Sequence, residues 1–191
     1  MTQPPLTVRR WKRAEYDRLV ELGAFDGDPI ELLAGQLVVA EPQRPYHASA
    51  VNSVEYALRA ALPQGWIVRT QSPVWLDDES EPEPDLIVVP GPPSDYHLTH
   101  PTRPVLTIEI AESSLVFDRE IKGSLYARAG IEDYWILNLV DRVLEICRDP
   151  GPDALAPYGW RYQVTTVAIS PAVVAPLAFP AIGIDVAALF P

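Results

Sequence analysis

The chain has 191 residues, of which 48% are hydrophobic and 21% charged, and it carries a net charge of −11. Those values suit one globular domain, residues 1–191, with a substantial core, and they exclude disorder over most of the chain. The acidic balance argues against an extended, non-specific grip on DNA, which depends on Lys and Arg neutralising phosphates. It leaves room for a carboxylate site that holds cations.

No apolar run approaches the roughly 20 residues of a membrane span. Residues 1–13 turn basic without an apolar signal segment. The single cysteine, Cys147, permits no internal disulfide. It sits beside Leu144 and Ile146 in an alternating stretch and reads as a small buried hydrophobe. A cytoplasmic location follows.

Residues 7–22 read as a helix, with Trp11, Leu19 and Leu22 on one side and Gly23 as a stop. Residues 30–33 and 37–40 read as a hairpin around Ala34-Gly35-Gln36. After Pro42 and Pro45, Val51, Val54, Leu58 and Leu62 recur at helical spacing over residues 47–62. Residues 66–76 alternate as a strand, with Pro73 marking an edge or a bulge. The acidic, proline-rich residues 77–84 form a turn that delivers Asp85 to the apolar run 86–89. A Pro-rich loop, 90–104, leads to a buried-looking strand over 105–111. Residues 118–129 read as a helix closed by Gly130. Two paired strands, 131–140 and 142–148, follow, then a strand over 160–168 and a short helix over 184–190 that packs Leu189 and Phe190. Helices lie before and within the strand series, so the expected fold is α/β, a mixed sheet flanked by helices.

Two carboxylates break the apolar pattern. Asp85 opens Leu-Ile-Val-Val, and Glu109 interrupts Val-Leu-Thr-Ile and Ile-Ala. A charge in a buried strand is costly unless it is paired or binds a metal. Neighbouring strands lie about 4.8 Å apart, so one carboxylate on each can reach a shared hard cation such as Mg²⁺. The bland alternatives are a solvated strand position for Glu109 and a turn residue for Asp85. Lys122 follows on a helix that can pack back over the sheet and point at both. Such a lysine can orient a water or stabilise phosphoryl charge, although a lone helix lysine is more often a surface residue. His47, at a helix start, reads as a cap or as a general base or phosphate contact. Gln71, on the strand before Asp85, points towards the same cleft. Asp118 reads as the cap of the Lys122 helix. Tyr126 and Trp135 read as core or interface aromatics.

Pro84-Asp85, Glu109 within LTIEIAESS, and DREIKGSLYARAGIEDYWIL resemble the Uma-type family of "putative restriction endonucleases", in the PD-(D/E)XK nuclease superfamily. IELLAGQLV near residue 30, His47 and LAFPAIGIDVAALF extend the likeness over nearly the whole chain. The resemblance implies a restriction-endonuclease-like fold and hydrolysis of DNA phosphodiesters with Mg²⁺ or Mn²⁺. It implies Asp85 and Glu109 as metal ligands, Lys122 as the catalytic lysine and Glu31 as a further member of the acidic cluster. It also implies a homodimer or larger assembly, for which the Trp and Tyr residues are taken as exposed interface groups. The usual nuclease motif places its lysine two residues after the glutamate, where this chain has Ala111. The resemblance moves that role to Lys122. The competing function is a nuclease-fold module that binds or regulates without cutting, which the acidic charge favours. A sugar hydrolase using paired carboxylates leaves Lys122 without a role.

Overall fold

The fold is that of a computed structural model and covers residues 7–40 and 43–191. Pro42 and the first six residues of the basic N-terminal stretch lie outside the described residues. Six strands form the central sheet in sequence order: β3 (Trp66–Thr70), β4 (Leu86–Pro90), β5 (Leu106–Ala111), β6 (Asp133–Asn138), β7 (Val143–Pro152) and β8 (Trp160–Ala168). All neighbours are antiparallel except β5 and β6. That parallel pair needs a crossover, and the helical run α3 over residues 115–128 supplies it.

Period-2 alternation divides the sheet into two buried faces. Ile108 and Ile110 point to one side with Leu86, Val88, Trp135 and Leu137. Helix α2 (Pro45–Ala61) covers this side with Ala50, Val51, Val54 and Leu58, helped by Leu189 and Phe190 from the C-terminus. The opposite face carries Thr107, Glu109 and Ala111, lies under α3, and packs Ala111, Ile136 and Cys147 against Tyr126 and Tyr134. Glu109 is therefore a buried residue, 3% exposed, and not on a solvated strand face. Burial pushes the Cys147 thiol up to about 11, as expected of an inert core cysteine.

The hairpin β1 (Ile30–Leu33) and β2 (Gln36–Val39) turns through two residues, Ala34 and Gly35, and not three. Both have positive φ, 48° and 79°, as a primed hairpin turn demands. A side chain at Gly35 would lie 2.6 Å from Arg10 Cβ, so this position needs glycine twice over.

Several boundaries differ from expectation. Helix α1 spans only Arg13–Glu21, because the Trp11 N–H is taken by the Gly35 carbonyl (2.9 Å) and Glu15 accepts from the Lys12 N–H (3.0 Å). β3 stops at Thr70, since Gln71 adopts φ 46° and donates its N–H to the Asp85 carbonyl (3.0 Å). The strand expected over 131–140 covers only Asp133–Asn138, and its partner β7 runs on to Pro152. The C-terminal segment is a short strand, β10 (Ile184–Asp185), paired with β9 (Val173–Val174), followed by a 3₁₀ turn, Val186–Leu189. No tryptophan is exposed: Trp135 is fully buried and the other four are half-buried, so tryptophan offers no exposed interface group. Among the described residues, no helix is long and apolar enough to cross a membrane.

Candidate active site

Four elements bring polar side chains to the same end of the sheet. β1 contributes Glu31, the residue before β4 is Asp85, β5 contributes Glu109 and α3 contributes Lys122. All four are less than 9% exposed. The Lys122 ammonium lies 2.9 Å from Glu109 Oε1 and 3.3 Å from Glu31 Oε1. Asp85 Oδ2 accepts from the Ile110 N–H (2.8 Å) and faces His47 Nε2 at 3.2 Å. The Asp85 N–H in turn points at Glu109 Oε2 (3.4 Å). Tyr126 donates its hydroxyl to Glu109 Oε1 (2.7 Å), so Oε1 is held by lysine and tyrosine while Oε2 faces Asp85.

The crossover helix explains how Lys122 reaches Glu109 although Ala111 occupies the motif position. α3 begins at Leu115 and widens to a π-helical turn over Asp118–Lys122. Such turns recur at functional sites. Gly123 suits the widened turn, for a Cβ there would lie 3.2 Å from the Asp118 carbonyl. Asp118 therefore does not cap the helix. It lies a turn inside, is 3% exposed, and accepts from the Ser114 hydroxyl at 2.5 Å.

Burial sets the electrostatics. Burial pulls the Lys122 ammonium down, but Glu109, Glu31 and Asp118 outweigh it and the net shift is upward, so it stays charged. Burial pushes Glu109 well above the ordinary carboxylate range; Lys122 opposes this, and Asp118, Asp85 and Glu31 reinforce it. Burial likewise lifts Asp118 to about 6 and raises Glu83, which sits beside Glu31. For His47 burial lowers the pKa, but the Asp85 contact outweighs it and the net shift is upward. Its Nδ1 is buried with no hydrogen-bond partner.

These residues line a cleft of about 920 Å³ between the β1–β2 hairpin, the start of α2 and the start of α3. Gln71 lies on its rim, exposed and past the strand end. The site members not expected from sequence are Asp118 and Glu83, both on segments that read as caps or turns, and the Tyr126 hydroxyl on a residue that reads as core.

The donor set suits a hard divalent cation. Asp85 and Glu109 offer only oxygen, and the carboxyls of Glu31, Glu109 and Asp118 outnumber the buried Lys122 ammonium among them. Among the described residues, no three acidic, His or Cys side chains converge as a ready cage. Mg²⁺ needs none, since it is usually held by one or two carboxylates and keeps several waters.

A six-stranded mixed sheet flanked by helices, with a helical crossover between β5 and β6, defines a nuclease-like α/β fold. The same architecture occurs in the crystal structure of a "putative nuclease belonging to DUF820" from Anabaena variabilis ATCC 29413. The two share 15% identity and a TM-score of 0.63 over 84% of this chain and 89% of the other. A search of the curated proteins returns no match. Residues 13–187 match the Uma2 family, described as "Putative restriction endonuclease", and the chain belongs to that family.

Proposed function

We propose that this chain is a single-domain, cytoplasmic endonuclease that hydrolyses DNA phosphodiesters, with Asp85 and Glu109 as ligands for Mg²⁺ or Mn²⁺ and Lys122 as the catalytic lysine. The observation that carries the reading is the convergence of Lys122 on Glu109 and Glu31, beside Asp85, at the floor of the cleft. When bound, the cation supplies charge neutralisation at the phosphate and lowers the pKa of a water. The water oxygen bonds phosphorus, one ester P–O bond breaks, the water loses a proton and the leaving oxygen gains one. Lys122 stays protonated, so its role is electrostatic: it presents fixed positive charge to the phosphoryl oxygens. Glu31 and Tyr126 hold Lys122 and Glu109 in position. His47, on the same Asp85, is the group placed to take or return the proton or to contact the phosphate. Gln71 on the rim is an accessory contact.

A homo-oligomer belongs to the same reading, and β8 is its interface. This edge strand has five consecutive exposed residues, 163–167, with no carboxylate or proline. Such an edge is a template for strand pairing. A two-fold axis at Val164 sets each Arg161 opposite the partner copy's Val167, so like charges do not meet, which favours a second copy as the occupant.

The second reading, a module that binds without cutting, is favoured by the net charge of −11. Incubation of plasmid and single-stranded DNA with Mg²⁺ or Mn²⁺ separates the two. Asp85→Ala and Lys122→Ala are each expected to lower the rate by roughly 10²-fold or more. Undiminished cleavage by either variant overturns the assignment, and no metal-dependent cleavage by the wild type favours the binding module.

A further inference from the structure

We infer that the cleft takes an unpaired nucleotide, so that the substrate is single-stranded or frayed DNA whose base lies against the apolar lining that includes Val39 of β2 and Val116 of α3. The inference rests on the phosphodiesterase reading and narrows it.

Three observations carry it. The first is depth. The Lys122 and Glu109 side chains are only 8% and 4% exposed, at the floor of a cleft of about 920 Å³. That is the size of a small-molecule pocket. A duplex carries its phosphates on the outside of a stiff rod. A recessed site is reached by a nucleotide that is unpaired or pulled out of the stack, as in enzymes that act on a base.

The second observation is charge. Seven carboxylates line the cleft. Among the described residues, the only Lys or Arg side chains facing them are Lys122 and Arg44. Lys122 is bound by Glu109 and Glu31, and Arg44 lies 3.7 Å from Glu112. A surface of this kind cannot track a long run of phosphates, because each contact needs a cation. It tolerates a substrate that presents one or two.

The third observation is what the cleft offers instead. Val39, at the end of β2, and Val116, in the first turn of α3, are 64% and 72% exposed although both line the cleft. Val38, Phe117 and Ile121 continue the apolar surface. The flat, uncharged face of a base is the part of a nucleotide that such a wall accommodates, and in a duplex that face is hidden by stacking.

The test compares Mn²⁺-dependent initial rates on one sequence presented as a single strand, as a blunt duplex and as a duplex with an unpaired flap. The single strand and the flap are expected to be cut about tenfold or more faster than the blunt duplex, with cuts confined to unpaired nucleotides. The dependence of log rate on log salt is expected to have a slope of about −1, from one or two phosphates. Val39→Asn and Val116→Asn are neutral changes at exposed positions. Each is expected to lower kcat/KM on the single strand by about fourfold or more, the order of losing the burial of one methyl-sized group. Val140→Asn, at an exposed position outside the cleft, serves as the control. A blunt duplex cut as fast as the single strand, or unchanged kcat/KM in both cleft variants, overturns this inference and leaves the nuclease reading standing. Absence of any Asp85-dependent cleavage overturns the nuclease reading itself.

Discussion

Replacing Lys122 by Met removes the buried ammonium that Glu109, Glu31 and Asp118 surround while roughly preserving the side chain's volume. The ammonium is 2.9 Å from Glu109 and 3.3 Å from Glu31, and both contacts are shielded from water. At an effective dielectric of about 20, charges some 4 Å apart attract by about 4 kcal/mol. Desolvation of the lysine offsets part of this. Breaking a buried pair from one side typically costs about 3–5 kcal/mol, because an uncompensated charge stays behind. In a chain of this length that corresponds to a fall in Tm of about 6–20 °C. Glu109 already sits well above the ordinary carboxylate range, so in the variant it can escape by binding a proton. The loss is therefore expected to shrink as the pH falls. Mn²⁺ is also expected to stabilise the variant more than the wild type, since it replaces the missing positive charge. Urea unfolding across a pH series, with and without Mn²⁺, reads all three effects. A loss under about 1 kcal/mol that is independent of pH and metal would refute the idea that Lys122 neutralises this cluster.

Two further outcomes follow from other parts of the fold. Burial and the adjacent Asp17 push the Glu81 carboxyl up to about 8. The folded chain then binds a proton that the unfolded chain releases near 4.5, so stability is present at low pH and is lost as the pH rises from about 4.5 to about 8. Glu81→Gln is expected to flatten that slope in thermal melts and to stabilise the protein above pH 8; an unchanged slope contradicts the burial argument. At the β8 edge, Val164→Lys places a charge opposite its own copy, and light scattering is expected to show a shift from dimer to monomer. A dimer that survives this change pairs through another surface.

The parts of the site legible in the sequence are those that violate periodicity. Asp85 and Glu109 stand out because they interrupt apolar runs, and the β5–α3–β6 crossover that carries Lys122 back over Glu109 follows from strand–helix–strand order. Asp118 was hidden because an acidic residue at an apparent helix start looks like a cap. The helix begins earlier, at Leu115, and the π turn that buries Asp118 has no periodic signature. The Tyr126 hydroxyl was hidden by its ring, which packs as a core aromatic while its polar tip meets Glu109. β3 was overextended because alternation persists past Thr70 in a segment whose N–H groups bond elsewhere, Val74 to Pro82 and Trp75 to Pro101. Tertiary hydrogen bonding, not local pattern, decides where that strand stops. The tryptophans are covered for a related reason: side-chain burial depends on the layer packed over them, which composition does not reveal.

If Asp85 and Glu109 hold a divalent cation within reach of Lys122, the ion is visible by its scattering. Anomalous diffraction from crystals soaked in Mn²⁺ tests this binding most directly. One peak is expected between the Asp85 and Glu109 carboxylates, and it disappears in Asp85→Asn. A peak at another group of residues, or none in the wild type at saturating Mn²⁺, would contradict it.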